Sequence, residues 1–203
     1  MHKKIMWIQI KRRVHRCIRK MNTMFEKVRF RLNGITFGRK LYVDGKVLIS
    51  NENEIQLGNS VVINSSLKAN LAGGGNTSIQ VGKNGKLIIG NNVGLSNCSI
   101  TAMKEVILED NVLIGAGAKI YDTDFHPLQA QYRYGQGKNN SYVKTRPVRI
   151  KKGAFIGADS IILKGSVIGE NAVIGALSVV TGSIPDNEIW AGNPARFIRK
   201  IED

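Results

Sequence analysis

Three kinds of residue are scarce in this 203-residue chain, and each scarcity removes a class of protein. It has two cysteines, Cys17 and Cys98, far apart in sequence. They provide neither a disulfide framework nor metal-ligand spacing, so a reducing cytoplasm is the expected setting. Three histidines are present, and only His126 lies beyond residue 15, so a zinc site of several imidazoles cannot form in the body of the chain. Aromatics are 6% of residues although 42% are hydrophobic, which points to a narrow interior filled by Ile and Val. Long apolar runs are also missing. The segment IMWIQI is too short to span a bilayer and leads into KRR rather than a small-residue cleavage site, so neither a transmembrane helix nor a secretion signal is expected.

Basic charge is plentiful, but it is concentrated. The formal net charge is +15, and residues 1–33 hold eleven Lys or Arg against Glu26 alone. Within this segment Trp7, Ile10, Val14, Ile18, Met21, Phe25 and Val28 recur every three or four residues, which predicts an amphipathic basic helix over 1–33. The expectation is that its apolar stripe packs on the neighbouring domain or on other subunits. The alternative is peripheral contact with an anionic membrane at the inner face.

Downstream the period changes to six. Ile150, Ile156, Ile162, Ile168, Ile174 and Val180 are evenly spaced, and four residues after each of the first five comes Ala154, Ser160, Ser166, Ala172 or Ser178. One such unit describes a short strand and a corner, and three make a triangular turn of coil. The same frame, with phase slips, begins earlier at Leu57, Ile89 and Leu108. The coil is expected over 43–185, interrupted by an aperiodic loop at 126–147 and followed by a tail at 186–203.

The hexads resemble the left-handed parallel β-helix of hexapeptide-repeat acyltransferases, so the fold class expected is an all-β solenoid with an N-terminal amphipathic α-helix and an ejected loop. Sugar O-acetyltransferases, serine acetyltransferases and γ-class carbonic anhydrases share that coil, and the lone coil histidine rules out the last. His126 stands at the root of the loop, and a histidine suits deprotonation of a hydroxyl near neutral pH. Asp124 and Asp122 alternate with it, and in extended backbone all three would share one side.

The stretch IGAGAKIYDTDFHPL resembles the region of hexapeptide sugar and polysaccharide O-acetyltransferases in which a histidine before proline is the general base. By that resemblance His126 is catalytic. Asp124, two residues away, is the candidate to orient its ring, and Asn97, Asp122 and Arg146 are candidates on the acceptor side, with a structural corner role the alternative for the aspartates and Asn97. Asp-Phe replaces the Gly that precedes His-Pro in galactoside and maltose acetyltransferases, which points toward enzymes of sialic acids and of capsular or O-antigen sugars. The C-terminal run IGALSVVTGSIPDNEIWAGNPARFIRKI resembles the acetyl-CoA end of the family. It implies a pantetheine track along Ala158, Ala176, Thr181 and Gly182; separately, the charge that develops on the thioester carbonyl calls for an oxyanion hole, for which a backbone N–H near Gly157 and Ala158 is the candidate. It also implies Arg196 and Arg199 near the nucleotide, with Lys164 standing in for the lysine usual at Gly182.

The resemblance further implies a homotrimer with acetyl-CoA between subunits, direct transfer in a ternary complex, and no metal. Arg133, Lys138, Lys144 and Arg146 suit an anionic acceptor of a surface polysaccharide pathway. N-acetylation of an amino or nucleotide sugar is the alternative enzyme reading. A basic binding module on a structural solenoid is the non-enzyme one. Nucleic acid is not expected, because the coil lacks interleaved aromatic and basic residues.

Overall fold

The computed structural model describes residues 2–67, 75–134 and 139–202, without the side chains of 2–6, 8–12, 15 and 16. The Lys138 expectation therefore falls outside the described residues, as does the side chain of Ile10.

The hexads form a three-faced parallel coil. The chain visits a first, a second and a third face in turn, and each strand pairs with the strand one coil later. Thr36–Phe37 opens the first face, ahead of residue 43, and pairs in parallel with Glu54–Leu57. Ser183–Ile184 closes that face. The second face runs from Tyr42–Gly45 to Glu188–Ala191 and ends on the antiparallel strand Arg196–Lys200. The third runs from Leu48–Asn51 through Ser99–Ala102, Lys119–Tyr121 and Ile161–Ile162 to Val179–Val180.

Register places like on like. Ile114 pairs with Ile156 and Ile156 with Ile174 on the second face, and Ile120 with Ile162 and Ile162 with Val180 on the third. All of these are buried. The small residues of the hexad are buried as well, because only short side chains fit inside the corner. The serines among them stay satisfied there by donating to backbone carbonyls: Ser160 Oγ and Ser178 Oγ to Gly175 (2.9 and 2.6 Å) and Ser166 Oγ to Val180 (3.3 Å).

Helix α1 (His2–Leu32) covers the open N-terminal end, but not with the stripe the sequence suggested. It docks through a mainly polar face. Thr23 Oγ1 donates to the Val43 carbonyl (2.9 Å) and accepts from its N–H (3.1 Å); Asn22 donates to the carbonyls of Val43 and Gly45; Glu26 accepts from Val47 N–H (3.2 Å). Among the described residues of the helix, Phe30 alone brings a large apolar group into the core. The physical reason is the coil's first turn, whose outer backbone groups have no strand above them and need polar partners. The expected apolar stripe therefore lies on the exposed side.

Candidate active site

Strand Lys119–Tyr121 of the third face ends at Asp122, and the loop leaves the coil there, returning at Val148. Its two ends form a short antiparallel ladder: Arg146 N–H donates to Asp122 C=O (2.9 Å), Asp124 N–H to Lys144 C=O (3.1 Å), and Thr123 bridges Thr145. Further out, Arg133 donates to the carbonyls of Pro127 and Leu128, and the rings of Tyr132 and Tyr142 stack at 4.0 Å. The loop is thus fastened at its root and across its middle.

Asp122 is fully buried, and its carboxylate accepts from three consecutive backbone N–H groups, those of Met103, Lys104 and Glu105 (2.6–2.8 Å). Burial pushes its carboxyl above the usual range, against the pull of those donors. This corrects its expected place on the acceptor side: Asp122 staples the loop root to the preceding coil. Alternation also fails beyond it. Phe125 takes a left-handed φ of 61°, its N–H donates to Thr123 Oγ1 (3.1 Å), and His126 N–H donates to Asp124 C=O (2.7 Å). The chain turns over at Phe125 and presents His126 to solvent.

Asp124 sits beneath this turn. One carboxylate oxygen pairs with Lys164 Nζ of the next coil (2.5 Å); the other is buried and has no hydrogen-bond partner among the described residues. In this structure Lys164, expected as a cofactor phosphate ligand, is paired with the loop root. Asn97, expected on the acceptor side, sits within the coil. It is buried in a left-handed corner (φ 45°), its N–H donates to Asn64 C=O and its C=O accepts from Gly117, so its backbone is part of the coil's hydrogen bonding. Arg146 is exposed at the loop's return, with its stem over Gly165.

The expected pantetheine track is divided. Ala158 and Ala176 lie at the edge between the second and third faces, whereas Thr181 and Gly182 lie at the opposite edge, where the third face turns into the first. The corner at Leu177 and the strand Val179–Val180, the width of the third face, separate Ala176 from Thr181. Gly157 is a stacking glycine: its N–H donates to Ile174 C=O (2.8 Å), and a Cβ there would lie 2.5 Å from Ala176 N. That N–H is not available to an oxyanion, while Ala158 N–H takes no part in the ladder among the described residues. Gly182, by contrast, faces open space: a Cβ added there would meet nothing within 4 Å. The GNPA turn crowns the third face, with Val179 N–H donating to Gly192 C=O (2.9 Å) and Ala195 N–H to Val179 C=O (2.8 Å). Arg196 and Arg199 follow it, both exposed.

A groove of about 430 Å³ runs along the outside of the third face and ends at Tyr121 and Phe125, whose rings meet edge-on at 5.0 Å. Its outward side chains include Ser50, Ser78, Gln80, Ser99 and Thr101. Sequence reasoning missed it, although hydroxyl residues recur at outward positions of this face. Cys98 is not a competing nucleophile, since burial pushes its thiol up to about 12. Among the described residues, no group of three His, Cys, Asp or Glu is placed to hold a metal.

Residues 147–182 match the model of the bacterial transferase hexapeptide (six repeats). The galactoside O-acetyltransferase of Escherichia coli is 37% identical over 107 residues, 53% of this chain and 50% of that protein. The chain thus spans about half the length of the curated relatives it matches. Among solved structures, a point mutant of AntD, an N-acyltransferase from Bacillus cereus in complex with dTDP and coenzyme A, is 27% identical, with a TM-score of 0.68 over 82% of this chain and 84% of that one. A hexapeptide-repeat acetyltransferase from Vibrio cholerae, complexed with acetyl coenzyme A, is 27% identical, with a TM-score of 0.55 over 63% of this chain and 66% of that one. The resemblance to hexapeptide-repeat acetyltransferases is thus carried by repeat, sequence and fold together.

Proposed function

We propose that the protein transfers an acetyl group from acetyl-CoA to a sugar hydroxyl of a surface polysaccharide or its precursor, with His126 as general base. The observation that carries this reading is the turn at Phe125, which exposes the His126 imidazole two residues from Asp124, one of whose carboxylate oxygens is buried with no hydrogen-bond partner among the described residues. In the working enzyme the ring's second nitrogen donates to that free oxygen, which fixes the tautomer and favours the imidazolium formed when the acceptor hydroxyl loses its proton. The hydroxyl oxygen attacks the thioester carbonyl, the carbon–sulfur bond breaks, and the imidazolium returns a proton to the departing thiolate. Ala158 N–H is the candidate donor to the developing oxyanion.

The left-handed sense of the coil and a threefold assembly belong to the same reading. The two halves of the cofactor track lie at opposite edges of one chain. In a C₃ trimer, Thr181 and Gly182 of one subunit can approach Ala158 and Ala176 of another, closing a cleft around the pantetheine arm with Arg196 and Arg199 toward the nucleotide. Coenzyme A in the similar solved structures supports this choice of donor. The hydroxyl-lined groove ending at Tyr121 and Phe125 suits a saccharide, polar on its rim and apolar on its ring faces. Placement in the cytoplasm, where acetyl-CoA is made, completes the reading.

A second reading, N-acylation of an amino sugar on a nucleotide, is favoured by the similarity to AntD, which spans most of both chains. The test is thiol release from acetyl-CoA with a panel of hydroxyl and amino-sugar acceptors, using wild type and His126→Ala. The proposal expects turnover with hydroxyl acceptors, lost in the variant. Turnover confined to amino sugars would establish the second reading, and undiminished transfer by the variant would remove His126 from the chemistry.

A further inference from the structure

The apolar stripe of α1 faces away from the coil. Trp7, Val14, Ile18, Met21, Phe25, Val28 and Leu32 are each about half exposed or more, and Leu32 reaches 81%. At 100° per residue these positions gather on one side of the helix, while Thr23, Glu26 and Phe30 hold the docked side. Arg13, Lys20, Lys27 and Arg31 occupy the flank between them. The helix therefore has three surfaces, one docked, one basic and one apolar, and the last two are contiguous and uncovered in this chain.

Charge decides which occupant fits. Residues 1–33 contain a single acid, Glu26, which is buried and pairs with Arg29 at 2.6 Å. A second copy of α1 would bring the same cations and no exposed carboxylate, so helix-to-helix contact along this face sets like charges together. A nucleic acid would use the cations and leave the apolar stripe in water. An anionic lipid surface uses both: the apolar side chains enter the boundary between headgroups and acyl chains, and the basic flank meets the headgroup phosphates. No helix among the described residues is long and apolar enough to cross a membrane, so α1 would lie on the surface rather than span it.

We propose that the exposed apolar and basic faces of α1 dock the protein on anionic phospholipid bilayers. The docking contacts of Thr23 and Glu26 with the coil leave these faces free, so the coil rides directly on the surface. Docking stands apart from the acetyl-transfer reading and is tested without any acceptor.

The experiment is flotation of the full chain with vesicles of phosphatidylcholine alone or mixed with phosphatidylglycerol, at low and high salt. Wild type is expected to float with the mixed vesicles and to be released by salt. Phe25→Glu with Val28→Glu removes part of the apolar face, and Lys20→Gln with Lys27→Gln removes part of the basic one. Each pair should weaken partitioning about tenfold or more, with the melting temperature held as a check on folding. Wild type that stays unbound, or variants that float as wild type does, would overturn the proposal. So would a fall in sedimentation mass of the Phe25/Val28 variant in the absence of any vesicle binding by wild type, because the face would then be a contact between copies.

Discussion

At the edge between the second and third faces, Asn97, Gly117, Asp159 and Leu177 take the same left-handed corner in four successive coils, with φ between 45° and 73°. At the opposite edge, successive coils present Met103–Glu105, the loop bearing His126, Leu163–Gly165 and Thr181–Gly182, and no two are alike. The difference follows from stacking. A repeated corner places backbone on backbone, as at Gly157, and from Asn97 onward it carries no insertion, although one coil earlier residues 66–77 are inserted at this same edge. An edge whose coils end on side-chain staples such as Asp122 can carry a long insertion, and the proposed chemistry is there.

The largest effect that would sharpen this contrast is at His126. His126→Ala should lower kcat for acetyl transfer by about 10²- to 10⁴-fold while leaving the melting temperature in place, since the side chain is exposed. Gly157→Val acts the other way, forcing coils apart at the repeating edge and lowering unfolding free energy by about 1–3 kcal/mol in denaturant titration. Asp122→Ala strips three part-buried N–H groups of their acceptor and should cost about 1–3 kcal/mol, with a fall in kcat as the loop root loosens. The coupling of Asp124 with Lys164 is smaller. Both are partly exposed, and a double-mutant cycle should return about 0.2–1 kcal/mol. The smallest effect is at Gly182, across the face from Gly157: Gly182→Ala adds its methyl to open space and should stay within about 0.5 kcal/mol of wild type.

The inner face of the coil was legible because burial in so narrow an interior repeats with the chain: from Ile150 to Val180 each buried Ile or Val lies in a strand and each buried Ala or Ser in a corner. Edge side chains were not, because their roles depend on which coil lies next to them. Lys164 stands one coil from Asp122, but the intervening loop hides that spacing in the sequence. Extended backbone would group Asp122 and Asp124 with His126, and the left-handed turn at Phe125 breaks that alternation. The helix is recognisable from its period, but its orientation is not. Unpaired backbone groups of the first coil turn attract Asn22, Thr23 and Glu26, and that demand outweighs burial of the apolar stripe.

The most direct test of placing chemistry at the varied edge is the turnover number of His126→Gln, measured as thiol release at saturating acetyl-CoA and acceptor, with the affinity for coenzyme A measured alongside. The account predicts a fall of about 10²-fold or more in kcat with coenzyme A affinity within about twofold of wild type. A variant that turns over at the wild-type rate would contradict it and move the base elsewhere on the coil.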